Sequence, residues 1–259
     1  MSSRKTPAEI DRIRTSCRIV FEVQQALEKA IAPGVTSRQL DEMAERIIRG
    51  HGAVPAFKGY HGFPASICAS PNAEAVHGFP NDEPLAAGDL LSVDVGVLLD
   101  GYFGDGAFTI GVGALEPPVQ RLLDSTRASL EAGIAQARPG NRLTDISHAI
   151  QRRAEADGFA IVRDFGGHGI GRALHEDPHV PNYGPPGKGP RLQAGMVLAI
   201  EPILSLGSPD VEVGEDGWTT TTTDGAAAAH CEHTVAITAD GPEILTLPAV
   251  DAGPAAPSP

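Results

Sequence analysis

Cysteine, long apolar runs and positive charge are all in short supply in this chain of 259 residues. Cys17, Cys68 and Cys231 are odd in number and widely scattered, so they make neither a disulfide framework nor a zinc ribbon. No apolar stretch approaches the roughly 20 residues needed to cross a bilayer. The N-terminus also lacks the basic-then-apolar pattern of a secretory signal. These absences predict a cytoplasmic protein with no membrane partner. The deficit of Lys and Arg leaves a formal net charge of −13, which argues against specific nucleic-acid binding. What is present is a hydrophobic fraction of 41%, ordinary for a globular protein able to bury a sizeable core.

Local signals divide the chain. Residues 1–5 read as a frayed tail, and the Ala/Pro/Gly-rich residues 249–259 as a disordered one. Thr6-Pro7-Ala8-Glu9 is a capping box with proline at the first helical position, and Pro33-Gly34 ends that helix. Thr36 and Gln39 form a second box, opening a helix that closes at Gly50 to Gly52. A constant offset of 106 positions relates Gly34 to Gly140, Leu40 to Ile146 and Gly52 to Gly158, with a helix expected from Val119 to Ala137 before the second copy. The repeat predicts two related halves, about 6–115 and 116–248, sharing one domain over 6–248.

Strand signals lie between the helices. Ser66–Ser70 and Ala75–Gly78 are short candidates, and Asp89–Val112 is a hairpin turning at Asp100-Gly101. With those two residues as the loop, Asp105 faces Gly96 and becomes the diagonal neighbour of Asp94 on one face. Further strands are expected at Met196–Leu204, in the threonine run after Trp218, and at Ala229–Thr238. The last of these places His230, Glu232 and Thr234 on one face. Helix pairs with antiparallel strands give an α+β fold.

Carboxylates inside apolar strands are the informative feature. Asp94, Glu201 and Glu232 each sit in or beside such a run, and Asp105 joins them across the hairpin. An ionised carboxylate is costly to bury without a partner, and these strands contain no basic residue. Four carboxylates with one histidine, for which the glycine-rich stretch holding His168 and His175 is the candidate source, offer an oxygen-rich, one-nitrogen site for two divalent cations about 3.5–4 Å apart. Such donors suit manganese, iron, cobalt or zinc. Cys231 alternates to the opposite face.

Several motifs also carry a resemblance. Val76-His77-Gly78, Ser92-Val93-Asp94-Val95, Gly101-Tyr102-Phe103-Gly104-Asp105, Gly167-His168-Gly169-Ile170-Gly171-Arg172, Ile200-Glu201-Pro202 and Glu232-His233-Thr234 resemble those of methionine aminopeptidases. The resemblance runs from about residue 8 to 247 and, with no room for a helical insert, is to type I. It implies the pita-bread fold, two pseudo-symmetric halves wrapping a curved antiparallel sheet around a dinuclear metal site. Asp105 and Glu232 would bridge the metals, Asp94 would complete one, and His168 and Glu201 the other. Tyr60, Phe63, Cys68 and Trp218 would enclose a methionine side chain, and His77 and His175 would contact the substrate. Leu174 would also line that pocket, although it and Cys231 depart from the pattern, since type I enzymes usually carry aromatics there.

The implied reaction removes the initiator methionine from nascent polypeptides whose second residue is small. A metal-bound hydroxide would attack the first peptide bond, with Glu201 carrying the proton, His175 stabilising the oxyanion and His77 holding the amide. The free α-amino group would bind at the metals. The implied protein is a monomer, and docking on the ribosome would need a local basic patch. An Xaa-Pro aminopeptidase shares the fold but carries a large N-terminal domain, whereas here the first helix starts at residue 6. A non-enzymatic relative would typically have lost ligands.

Overall fold

The computed structural model describes residues 4–248, so the expected tail at 249–259 lies outside the described residues. Helices α1 (Pro7–Ala30) and α2 (Ser37–Gly50) lead into β1 (Val54–Pro55), a short 3-10 turn at Tyr60–Gly62, β2 (Ile67–Pro71) and β3 (Glu74–Val76). The hairpin β4 (Leu90–Leu99) and β5 (Tyr102–Gly111) follows. A second helix pair, α3 (Pro117–Gln136) and α4 (Leu143–Ala156), precedes β6 (Ala160–Ile161), β7 (Gly166–Gly169) and β8 (Glu176–Pro181). Then come β9 (Val197–Ile200), β10 (Ile203–Ser205), β11 (Val211–Val213) and β12 (Thr220–Thr222). The last strands are β13 (Ala228–His230), β14 (His233–Thr238) and β15 (Gly241–Ile244).

Both expected capping boxes form. Thr6 and Thr36 each accept from the amide three residues on, while Glu9 and Gln39 accept from the cap amides. Each cap contributes about 1 kcal/mol. Helices α2 and α4 are both 14 residues long and begin 106 residues apart, and the linkers before them turn at Gly34 (φ 90°) and Gly140 (φ 95°). The frayed start is not found at Lys5, which is buried. Its amide donates to the Gly195 carbonyl at 2.6 Å, and its ammonium meets Glu176 at 2.5 Å.

Among the described residues, the strands pair antiparallel throughout and form four sheets. Val20, Val23 and Leu27 of α1, with Leu40 and Ile48 of α2, pack on Leu91, Val93 and Val95 of β4. The second helix pair repeats the arrangement, with Leu130, Ile134, Ile146 and Ile150 on Leu198, Val235 and Ile237. Each fully buried Leu, Ile or Val contributes about 1.5–3 kcal/mol.

Two of the expected long strands are interrupted. Met196–Leu204 divides into β9 and β10 at Glu201-Pro202, and Ala229–Thr238 divides into β13 and β14 at Cys231-Glu232. β9 and β14 belong to the five-stranded sheet, while β10 and β13 pair in another. Pro202 has no N–H to continue a ladder, and the Glu232 amide leaves its own sheet to donate to Ala107 of β5 at 2.8 Å. The chain therefore changes sheet at Glu201 and at Glu232.

Candidate active site

The β4–β5 hairpin positions the first two carboxylates. Gly96 pairs with Asp105 and Asp94 with Ala107, the register that the Asp100-Gly101 turn dictates. Thr234 on β14 anchors Asp105 through the backbone: its hydroxyl donates to the Asp105 carbonyl at 2.7 Å and accepts from the Asp105 amide at 3.2 Å. His168 on β7 is fixed by its own neighbour, with Nδ1 2.9 Å from the Gly169 carbonyl. A carbonyl only accepts, so Nδ1 carries the proton and the Nε2 lone pair faces inward.

That lone pair meets further acceptors. Nε2 lies 3.8 Å from Asp105 Oδ2 and 3.6 Å from Glu201 Oε1. Asp105, His168 and Glu232 bring one ligand atom each within 4.8 Å of one another, all three residues being buried. Asp94 Oδ1 and Glu232 Oε1 are buried with no hydrogen-bond partner. Among the described residues, no lysine or arginine pairs with these carboxylates; their only ion-pair partners are His168 and His230. Converging carboxylates with two unpartnered oxygens suit a cation, and the ligand set fits two divalent ions.

Electrostatics register the same crowding. Burial, with Glu201 adding to it, raises the Asp94 pKa to about 6. Burial and then mutual repulsion push Asp105 and Glu232 well above the carboxylate range. Glu201 behaves differently. Burial would raise it, but His230 and His168 outweigh that and bring its pKa below the ordinary value, so it stays ionised.

The carboxylates floor a cavity of about 140 Å³. Tyr60, Phe63, Cys68, Leu174 and Trp218 supply apolar lining, and His77 and His175 line the same cavity. Phe63 meets Trp218 edge to face, the ring centroids 5.2 Å apart. Cys68 is cross-strand partner to Asp94, and burial pushes its thiol pKa well up, keeping it neutral. Asp94, Asp105, His168, Glu201 and Glu232 complete the lining, so the residues expected at the metals and at the substrate share one chamber.

Desolvation, then the nearby His168, lowers the His175 pKa to about 4, leaving a neutral ring whose Nδ1 lies 2.9 Å from the Tyr60 hydroxyl. Burial also lowers His77, held at φ 61° between Phe165 and Trp218. Outside the chamber, Cys231 and His233 line a separate groove, and His233 Nδ1 meets the Thr246 hydroxyl at 2.8 Å.

Sequence reasoning passed over three residues. Phe57 adds to the cavity wall. Asn182 donates to the Glu201 carbonyl at 2.9 Å. His230 is buried with Nε2 3.6 Å from Glu201 Oε2, giving Glu201 an imidazole beside each oxygen. Its shared face with Glu232 was the available signal.

The sequence pattern of Metallopeptidase family M24 matches residues 11–239. A methionine aminopeptidase 1 of Mycobacterium tuberculosis is 53% identical over 94% of this chain and 94% of its own length. A methionine aminopeptidase of Clostridium perfringens is 51% identical over 94% of this chain and 98% of its own. The crystal structure of methionine aminopeptidase from Thermotoga maritima superposes with a TM-score of 0.94 at 45% identity, covering 95% of this chain and 99% of that one. A prolidase from Pyrococcus furiosus, 24% identical, matches with a TM-score of 0.78 over 94% of this chain and 65% of its own, a likeness of fold alone.

Proposed function

Because the chain belongs to Metallopeptidase family M24 and, within it, to the methionine aminopeptidases of pita-bread fold, we propose that it removes N-terminal methionine from nascent proteins whose second residue is small. The observation that carries the reading is the chamber, which combines an apolar lining with a carboxylate cluster in which Asp94 Oδ1 and Glu232 Oε1 are buried without a donor. Asp94, Asp105, His168, Glu201 and Glu232 would hold two divalent cations, cobalt, manganese, iron or zinc by donor type. Bound there, such ions act as Lewis acids and bring the pKa of water from about 15.7 towards 7.

The remaining work falls to the chain's own groups. The methionine side chain enters the apolar wall, with its α-amino group over the acidic floor, which restricts cleavage to the first bond. Glu201, held ionised, accepts the proton of the attacking water on a carboxylate oxygen and passes it to the leaving amine. His175 Nδ1 lies against the Tyr60 hydroxyl; with that hydroxyl as donor, the ring proton would sit on Nε2 and be offered to the scissile carbonyl oxygen as charge develops there. His77 holds the scissile amide from the opposite side.

The reading takes residues 6–248 as one catalytic domain acting as a cytoplasmic monomer on chains emerging from the ribosome. It is tested with Met-Ser-Lys and Met-Leu-Lys, with and without added metal. Cleavage should need metal, and kcat/KM should favour the serine peptide by about a hundredfold, the equivalent of a few kcal/mol of steric penalty. Comparable values for the two peptides would point to a broad aminopeptidase, and cleavage of Xaa-Pro peptides alone to a different member of the family.

A further inference from the structure

The turn that carries Leu174 and His175 is gripped from outside by the beginning of the chain. We propose that Lys5 and Glu9 form a strap that sets the position of this substrate-binding turn, with Lys5 as a positioning residue acting through Glu176. What the turn binds rests on the function proposed above; the strap itself rests on geometry alone.

Glu176 organises the turn. Its Oε1 accepts from the amides of Arg172 at 2.7 Å and Ala173 at 3.2 Å, closing the backbone that presents Leu174 and His175 to the cavity. Its other oxygen receives the Lys5 ammonium at 2.5 Å, and the lysine side chain is only 5% exposed. A lysine near a chain terminus normally stays hydrated, because an ammonium gives up water only for a well-placed partner. Here the partner is the carboxylate that already holds the turn.

A second grip lies on the other side. Glu9, in the first turn of α1, accepts from Arg172 Nε at 3.2 Å and from the Tyr102 hydroxyl at 3.3 Å. The Arg172 guanidinium lies over the Tyr102 ring, 4.7 Å from its centroid, and the Phe103 amide donates to the Gly171 carbonyl at 2.8 Å. Two glycines clear the path of the strap. A Cβ on Gly171 would collide with Lys5 Cε, and one on Gly195 would come 2.9 Å from the Lys5 carbonyl oxygen.

Leu174 is buried in the cavity wall, and His175 holds the Tyr60 hydroxyl, so a displaced turn disturbs methionine binding and the proton on His175 together. Displacements near 1 Å at a catalytic site cost up to about a hundredfold in rate.

The test uses the full chain loaded with manganese, comparing wild type with Lys5→Met, Lys5→Arg and the double variant Lys5→Met/Glu176→Gln, which leaves no lone buried charge. For Met-Gly-Met, Lys5→Met should raise KM about tenfold, Lys5→Arg should restore part of the loss, and manganese per chain should match wild type. The amides of Arg172 and Ala173 should exchange with deuterium faster than in wild type. Unchanged KM in the folded variant, or unchanged protection of those two amides, would overturn the proposal in favour of a purely structural ion pair. If Lys5→Met does not fold, the double variant carries the same expectations. A wild-type enzyme that leaves Met-Gly-Met intact would refute the proposed function, and amide exchange would still decide the strap.

Discussion

At Asp105 three demands meet in one residue: a strand position, a backbone tether to Thr234, and a carboxylate among other carboxylates. Asp105→Asn preserves the first two and removes only the charge, so the fold should persist while metal binding and activity are lost. His77 touches the same chamber from the end of β3, but its ring packs against Phe165 and Trp218. His77→Ala should therefore retain metal and lower kcat by about a hundredfold or more, the range of a lost acid–base or oxyanion group. Metal analysis beside steady-state kinetics checks the pair. Equal metal loss in both variants would show that His77 is itself a ligand.

Strand β3, which leads into His77, carries a titration of its own. Glu74 is half-buried opposite Thr221, and burial, followed by Asp216 and Glu83, raises its carboxyl to about 7 from the ordinary 4.5. The folded state thus favours the protonated form. Its contribution to stability is complete below about pH 4.5 and disappears as the pH rises through 7. Glu74→Gln should leave the urea midpoint unchanged at pH 4 and raise stability at pH 8 by about 1 kcal/mol, after allowing for partial exposure. A gain of equal size at both pH values would mean that packing, and not charge, had changed. Elements with such local causes were the legible ones. The β4–β5 register followed from a two-residue turn, and the helix starts from capping boxes. The sheet change at Glu232 was not legible, because its break is imposed by neighbouring strands, whereas at Glu201 the signal was Pro202, passed over in an apolar run. Lys5 was hidden for a related reason: its partner lies 171 residues away, beyond any local pattern.

At the scale of the molecule, the cluster draws Asp94 and Asp105 from before α3, and His168, Glu201 and Glu232 from after α4. Without cations, carboxylates from two distant stretches of chain repel across the cavity. Excess chelator should therefore lower the melting temperature as well as abolish activity, because a ligand bound only by the folded state stabilises it by mass action. A melting curve that stays put after confirmed metal removal would argue against a shared buried site.

The 106-residue repetition gives each helix pair its own core, built around Leu40 on one side and Ile146 on the other. Metal affinity is then a measure of how well two separately packed bodies are held in register. Thermodynamic linkage makes that relation reciprocal, so whatever the ions contribute to keeping the bodies together, the packing returns to the ions. Truncating Leu40 or Ile146, neither of which lines the cavity, would act on the cation as a change in its dissociation constant, and a cell short of metal would experience it as a loss of fold.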